Sequence, residues 1–299
     1  MSSSKTPIYT ALAANLGIAI TKLAAALFTG SSAMVSEGIH SLVDTSNEVL
    51  LLLGISRSQK PADEKRPFGY GRELYFWSFV VSLLFFAMGG GFSIYEGIEH
   101  LRNPEQVKNP IWNYAVLAIA FIFDGLSFIT AMKEFNRQRG TTPFWQAVRE
   151  SKDPTTFVVL FEDAADVIGI LIAFTGILIG QLLHNPYLDG IASVLIGLLL
   201  TAVAIVLVRE SRSLLMGETP DAAELNEVVK IVESNPAVNK VVKHLSNYLA
   251  PEEVIIAIKV NFKRDISSQN VTKAIEQLRS DIQEKYPHYK QLFIEPAEL

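Results

Sequence analysis

Glu37, His40, Asp44 and Asn47 bring together the side chains that hold cations or protons, within an otherwise apolar stretch. A helix advances about 100° per residue. Relative to His40, Glu37 then falls at about 60°, Asp44 at about 40° and Asn47 at about −20°, so all four share one face. A second set, Glu162, Asp163 and Asp166, lies in another apolar stretch. Asp166 is about 40° and Asp163 about 100° from Glu162, and the same arc continues into Gly169, Ala173 and Gly176. Several carboxylates cannot all ionise in a dry interior without compensation by protons, water or a cation. One imidazole with carboxylates is a donor set for zinc, which takes four N, O or S ligands tetrahedrally. A polar cluster that merely glues helices together is the competing explanation. An HxxxD pair alone is weak, but an ionisable residue inside a membrane span is costly and calls for a function.

Other polar residues in apolar stretches carry less weight. Asn15 and Lys22 are seven apart, hence on one face; Lys22 either neutralises a carboxylate such as Glu37 or snorkels. Asp124 beside Gly125 serves a proton or metal path, or helix packing. Asp189, after Pro186, reads as a helix-start residue rather than a ligand.

The elements that must position these residues are long and apolar. The chain has 299 residues, 49% hydrophobic and only 19% charged, and repeated apolar stretches near the bilayer-spanning length mark an α-helical membrane protein with six transmembrane helices. The spans are expected at 7–29, 33–56, 72–98, 110–132, 156–183 and 187–208. The first is too long for a cleaved leader and reads as a retained span. Small residues on the fifth let a neighbour approach closely, so the two polar faces are expected to meet. Arg57, Lys60, Lys65, Arg66 and Arg72 crowd one connector, and Lys133, Arg137, Arg139, Arg149 and Lys152 another. Basic connectors stay cytoplasmic, which puts both termini on the cytoplasmic side of a multi-pass protein of the cell (inner) membrane.

After Arg212 the pattern changes. Residues 221–234 and 268–285 read as amphipathic helices, 238–249 and 253–262 as a hairpin broken by Ala250-Pro251, and 291–295 as a last strand. The order αββαβ indicates a small cytoplasmic α+β domain of ferredoxin-like type. Residues 1–210 are thus expected to form the transmembrane domain and 211–299 the C-terminal one.

A net charge of −5 without a basic patch excludes nucleic acid as a partner. The absence of cysteine excludes disulfides and thiolate metal sites, leaving His, Asp, Glu and Asn as donors. No nucleophile–base pair or phosphate loop points to an enzyme, and no cofactor is expected.

At these residues the sequence resembles the cation diffusion facilitator family of metal–proton antiporters. The resemblance rests on Gly30-Ser31, Glu37-Gly38-Ile39-His40-Ser41-Leu42-Val43-Asp44 with Asn47, Pro61-Ala62-Asp63, Pro67-Phe68-Gly69-Tyr70-Gly71-Arg72, Glu96-Gly97-Ile98 and the stretch from Asp189 to Gly197. It extends over about the whole chain. It implies export of divalent metal by alternating access with protons moving the other way, in a homodimer, with metal and protons as cargo and the bilayer as surroundings. The pair His40 and Asp44 is similar to that of zinc-type members. Imidazole favours zinc over magnesium or calcium, while iron, cobalt, nickel and manganese accept the same donors. In the fifth span the family pair is HxxxD; aligned on Gly169, its Asp matches Asp163, but Val159 stands where the His would be. The Glu-Asp pair is similar to the branch containing the animal mitochondrial zinc exporter. Val159 keeps open a transport-inactive scaffold that retains the fold. The C-terminal domain lacks the family's strand histidines, has Glu295 where His is usual, and is implied to serve dimerisation or regulation; His244 and His288 read as surface residues. The expected metal shell is His40, Asp44 and Asp163, completed by Glu162 or Asn47, with Asp166 just outside it.

Overall fold

The protein was analysed as a computed structural model, which describes residues 6–264 and 266–298. These fall into two compact units. One comprises the residues up to Ser56 together with Leu74–Arg212; the other comprises Arg57–Glu73 and the residues from Ser213 onward.

The first unit is helical. Its long helices are α1 (Thr6–Thr29), α2 (Ser32–Ser58), the run α3 (Arg72–Leu84), a π-helical segment (Phe85–Gly91) and α4 (Phe92–Arg102), then α5 (Ile111–Arg139), α7 (Pro154–Leu182) and α8 (Tyr187–Met216). A short helix, α6 (Phe144–Glu150), interrupts the connector between α5 and α7; it was not foreseen from the sequence. Among the described residues three stretches, Arg72–Arg102, Ile111–Arg139 and Tyr187–Met216, are long and apolar enough to cross a bilayer on composition alone. The six expected spans fall on the six long helices.

Local chemistry sets the turn between α1 and α2. Gly30 has φ +71, a left-handed conformation that suits glycine, and its N–H donates to Ala26 O at 2.8 Å, closing α1. Ser31 then caps α2, accepting from the Met34 N–H at 3.2 Å. Asp189, in the first turn of α8, accepts from Ser31 Oγ at 2.6 Å and from the Ser32 N–H at 2.5 Å. The expectation of a helix-start residue is corrected in one respect: Asp189 starts α8, but its carboxylate serves the α2 N-terminus, where a negative charge meets free N–H groups and the positive end of the dipole.

The α4 and α8 backbones touch through glycines. A Cβ at Gly97 would stand 2.7 Å from Val194 N and 2.8 Å from Gly190 O; one at Gly197 would stand 2.7 Å from Ile94 N and 2.9 Å from Gly90 O. Backbone cannot yield as a side chain can. Gly97→Val is therefore expected to destabilise by about 1–3 kcal/mol or more, read as a lowered Tm in detergent. Gly125→Ala is the control, because nothing lies within 4 Å of a Cβ there, and it is expected to leave the Tm unchanged or raised.

The second unit carries α9 (Ala222–Ser234), β1 (Val238–Ala250), β2 (Glu253–Phe262), α10 (Ser268–Lys285) and β3 (Gln291–Pro296), the αββαβ order read from the sequence. β1 pairs antiparallel with β2, and β2 parallel with β3. Val228, Val232, Leu278 and Ile282 of the helices pack against Val254, Ile256, Ile258 and Val260. His288, expected at the surface, is half-buried: its Nε2 lies 2.9 Å from Glu224 Oε1, beside the Tyr289 ring at 4.8 Å. The connector 57–73 belongs to this unit. Its Asp63 accepts from the Lys65 and Arg66 N–H groups and from Tyr70 Oη at 2.6 Å. The Tyr70 hydrogen bond is the first cause holding the Asp63 carboxyl below its ordinary pKa.

Candidate metal centre

α2 and α7 run antiparallel, and their polar faces meet. Their partners step in opposite directions along the two helices: Glu37 lies over Gly169, His40 faces Asp166, and Asn47 reaches Glu162. Gly169 is the condition for this approach. A Cβ there would stand 2.4 Å from Glu37 Oε1.

At the centre, His40 lies between two carboxylates. Its Nδ1 is 3.2 Å from Asp44 Oδ2, and its Nε2 is 3.4 Å from Asp166 Oδ1. One donor atom from each of His40, Asp44 and Asp166 can be chosen so that all three lie within 4.8 Å of one another. His40 is fully buried, with its ring edge-on to Phe85 at 5.3 Å. Among the described residues, both His40 nitrogens, both Asp44 oxygens and Asp166 Oδ1 are buried without a hydrogen-bond partner. Buried polar groups are normally satisfied, and a cluster of unsatisfied nitrogen and carboxylate atoms converging on one point is what a divalent cation requires.

The other expected ligands are placed differently. Asn47 Nδ2 donates to Glu162 Oε1 at 2.7 Å, so these two are occupied with each other beyond Asp44. Asp163 Oδ2 accepts from Ser127 Oγ of α5 at 2.8 Å. The placement thus differs from the one expected: Asp166 lies with His40 and Asp44, and Asp163 turns toward α5. The reason is angular. Asp163 sits at the edge of the α7 polar arc, about 100° from Glu162, while Asp166 lies within it and one turn deeper.

A cleft of about 270 Å³ leads away from the centre. Asp44 and Asp166 line it, as do Ser41, Asp124, Val159 and Asp163, and it extends to Asn15 and Glu48. It runs toward the end of the bundle where α2 and α5 finish and α7 begins. Asn15 Nδ2 donates to Glu48 Oε1 at 2.7 Å near that end. Glu48 and Ser127 had not been singled out from the sequence. The signal for Glu48 was present, since eight residues beyond His40 it falls about 80° round the helix. Ser127 carried none beyond lying three residues after Asp124.

A buried lysine of α1 adjoins this cleft, since its partners Ser41 and Asp124 also line it. Lys22, fully buried, reaches Glu37 Oε2 at 3.0 Å and Ser41 Oγ at 2.8 Å, with Asp124 Oδ2 at 3.7 Å. Of the two readings of Lys22, neutralisation holds and snorkelling does not. Farther on, Asp189 binds Ser31 and Ser32 at the α2 N-terminus.

Comparison with known proteins agrees with this architecture. The family model described as the cation efflux transmembrane domain matches residues 8–216. The mouse (Mus musculus) proton-coupled zinc antiporter SLC30A9, mitochondrial, is 33% identical over 279 residues, which is 91% of this chain and 49% of that protein. Metal tolerance protein C4 of Arabidopsis thaliana is 28% identical over 273 residues, 90% of this chain and 60% of the relative. The manganese efflux system protein MneP of Bacillus subtilis is 22% identical over 296 residues, 95% of this chain and 92% of the relative. The chain spans about half the length of the mouse relative. With a transmembrane family model covering its six long helices and a polar centre buried between two of them, the chain is a multi-pass membrane protein of the cation efflux, or cation diffusion facilitator, family.

Proposed function

We propose that this protein exports a divalent metal cation, zinc first, by alternating access with proton antiport, and that His40, Asp44 and Asp166 hold the ion in transit. The supporting observation is the unsatisfied set at the centre: one imidazole and two carboxylates, from α2 and α7, converge without hydrogen-bond partners among the described residues. Zinc accepts these donors, and a fourth position is left for water. The scaffold reading rested on Val159. Asp166 supplies the missing third donor, which favours transport.

The cleft gives the direction of access. It approaches the site from the bundle end whose α5–α7 connector carries Arg137, Arg139 and Arg149, which the positive-inside rule makes cytoplasmic. Toward the other end, Asp189 ties the α2 N-terminus to α8. This arrangement suits loading from the cytoplasm. The remaining half of the cycle exposes the ion to the other side, where incoming protons displace it. Ligands must shed protons to bind metal, so zinc affinity is expected to fall as pH is lowered. The C-terminal unit is assigned to homodimerisation, the cell membrane is the proposed location, and both termini are cytoplasmic.

The test is zinc uptake by proteoliposomes under an imposed pH gradient. Zinc flux that rises with the gradient and moves protons the opposite way is expected. A folded protein that moves none of zinc, manganese, iron, cobalt or nickel would overturn the proposal. Selectivity provides a further expectation. Imidazole is a softer donor than carboxylate, so His40→Asp should raise manganese flux relative to zinc, severalfold in the ratio of initial rates. An unchanged ratio would move selectivity elsewhere in the protein.

A further inference from the structure

Lys22 stands outside the set His40, Asp44 and Asp166, yet it is fully buried, and its partner Glu37 lies about one helical turn before His40 in α2. Its surroundings are those of a bound cation. Glu37 Oε2 at 3.0 Å and Ser41 Oγ at 2.8 Å come from α2, and Asp124 Oδ2 at 3.7 Å from α5. Among the described residues, Glu37 Oε1 and Asp124 Oδ2 have no hydrogen-bond partner. Glu37 is fully buried and fixed from behind by α7, where only Gly169 leaves it room. The ammonium thus fills a position bounded by two carboxylates and a hydroxyl.

We propose that Lys22 is a tethered cation that occupies a second cation position beside the transport site and so limits each chain to one divalent ion. This rests on the reading of His40, Asp44 and Asp166 as the metal site. The two positions differ in chemistry. The first offers imidazole nitrogen and suits zinc. The second offers oxygen only, the donor type of manganese, magnesium and calcium. An ammonium on a four-carbon stem cannot leave with the cargo. It therefore keeps Glu37 and Asp124 compensated whether the transport site is full or empty, and it keeps an oxygen-preferring ion from settling there. Removing a buried partner strands the charges left behind, and an added divalent ion would replace what Lys22 supplied.

The experiment uses the full-length protein loaded with one zinc per chain, then equilibrated with manganese and washed through a desalting column. Wild type is expected to retain no manganese. Lys22→Met is expected to retain about one per chain, with zinc still bound. Lys22→Arg, which keeps the charge, and Lys22→Met/Glu37→Gln, which removes the acceptor, are expected to retain none. A folded Lys22→Met that holds zinc but no manganese would overturn the proposal, as would equal retention in Lys22→Met and the double variant. Should Lys22→Met be too unstable to load, its Tm is followed with manganese. A rise absent from Lys22→Met/Glu37→Gln/Asp124→Asn supports the proposal, and no rise, or an equal rise in both, contradicts it. Failure of wild type to bind zinc would strike the transport-site reading instead, so the two are told apart.

Discussion

Asp166→Asn is expected to weaken zinc binding by more than about 100-fold, and Asp163→Asn by less than about 10-fold. Asp166 Oδ1 faces His40 Nε2 at 3.4 Å, and that oxygen is buried without a hydrogen-bond partner. An amide there replaces a charged donor with a neutral one. Asp163 makes its hydrogen bond to Ser127 Oγ at 2.8 Å, on the cleft wall. It can steer the ion inward but does not touch His40 or Asp44. Losing this charge is expected to slow loading more than it weakens binding. Isothermal titration in detergent measures the affinities, and stopped-flow zinc uptake the loading. Equal losses in the two variants would return Asp163 to the metal.

Asp44→Ala is expected to lower zinc uptake to about 1% of wild type or less, the effect of deleting a ligand outright. Expression, thermal stability and oligomeric state are expected to persist. Neither Asp44 oxygen has a hydrogen-bond partner among the described residues; its close polar neighbour is His40 Nδ1 at 3.2 Å, and the substitution removes a negative charge from a crowded cluster. Uptake by proteoliposomes, set against a size-exclusion profile and a melting curve, separates lost chemistry from lost fold. Normal uptake by this variant would remove Asp44 from the site.

How far the sequence carries the structure differs from region to region. The long helices were legible because a bilayer demands about twenty apolar residues per span, and the C-terminal helices because Val228, Val232, Leu278 and Ile282 fall on helical stripes. The meeting of α2 and α7 was legible from Gly169 and its neighbours. The choice between Asp163 and Asp166 was not. Both lie within one arc, and periodicity fixes a side chain's angle but not the rotation of its helix against a particular neighbour. Alignment on Gly169 favoured Asp163, whereas in the structure it is Asp166 that lies beside His40. Asp189 teaches the same point. Its place at the start of α8 could be read, but its service to α2 depends on a contact between residues 157 apart in sequence. Lys22 was visible as an anomaly, and only the packing of α1 against α2 and α5 shows which carboxylates it answers.

The most direct test of the metal centre is X-ray absorption at the zinc edge on protein loaded with one zinc per chain. Wild type is expected to show four nitrogen or oxygen neighbours at about 2.0–2.1 Å, with outer-shell scattering from a single imidazole. His40→Asp is expected to retain zinc and lose the imidazole signal. An imidazole signal that survives in His40→Asp, or is absent from wild type, would contradict the assignment of His40, Asp44 and Asp166 as the site that holds the ion.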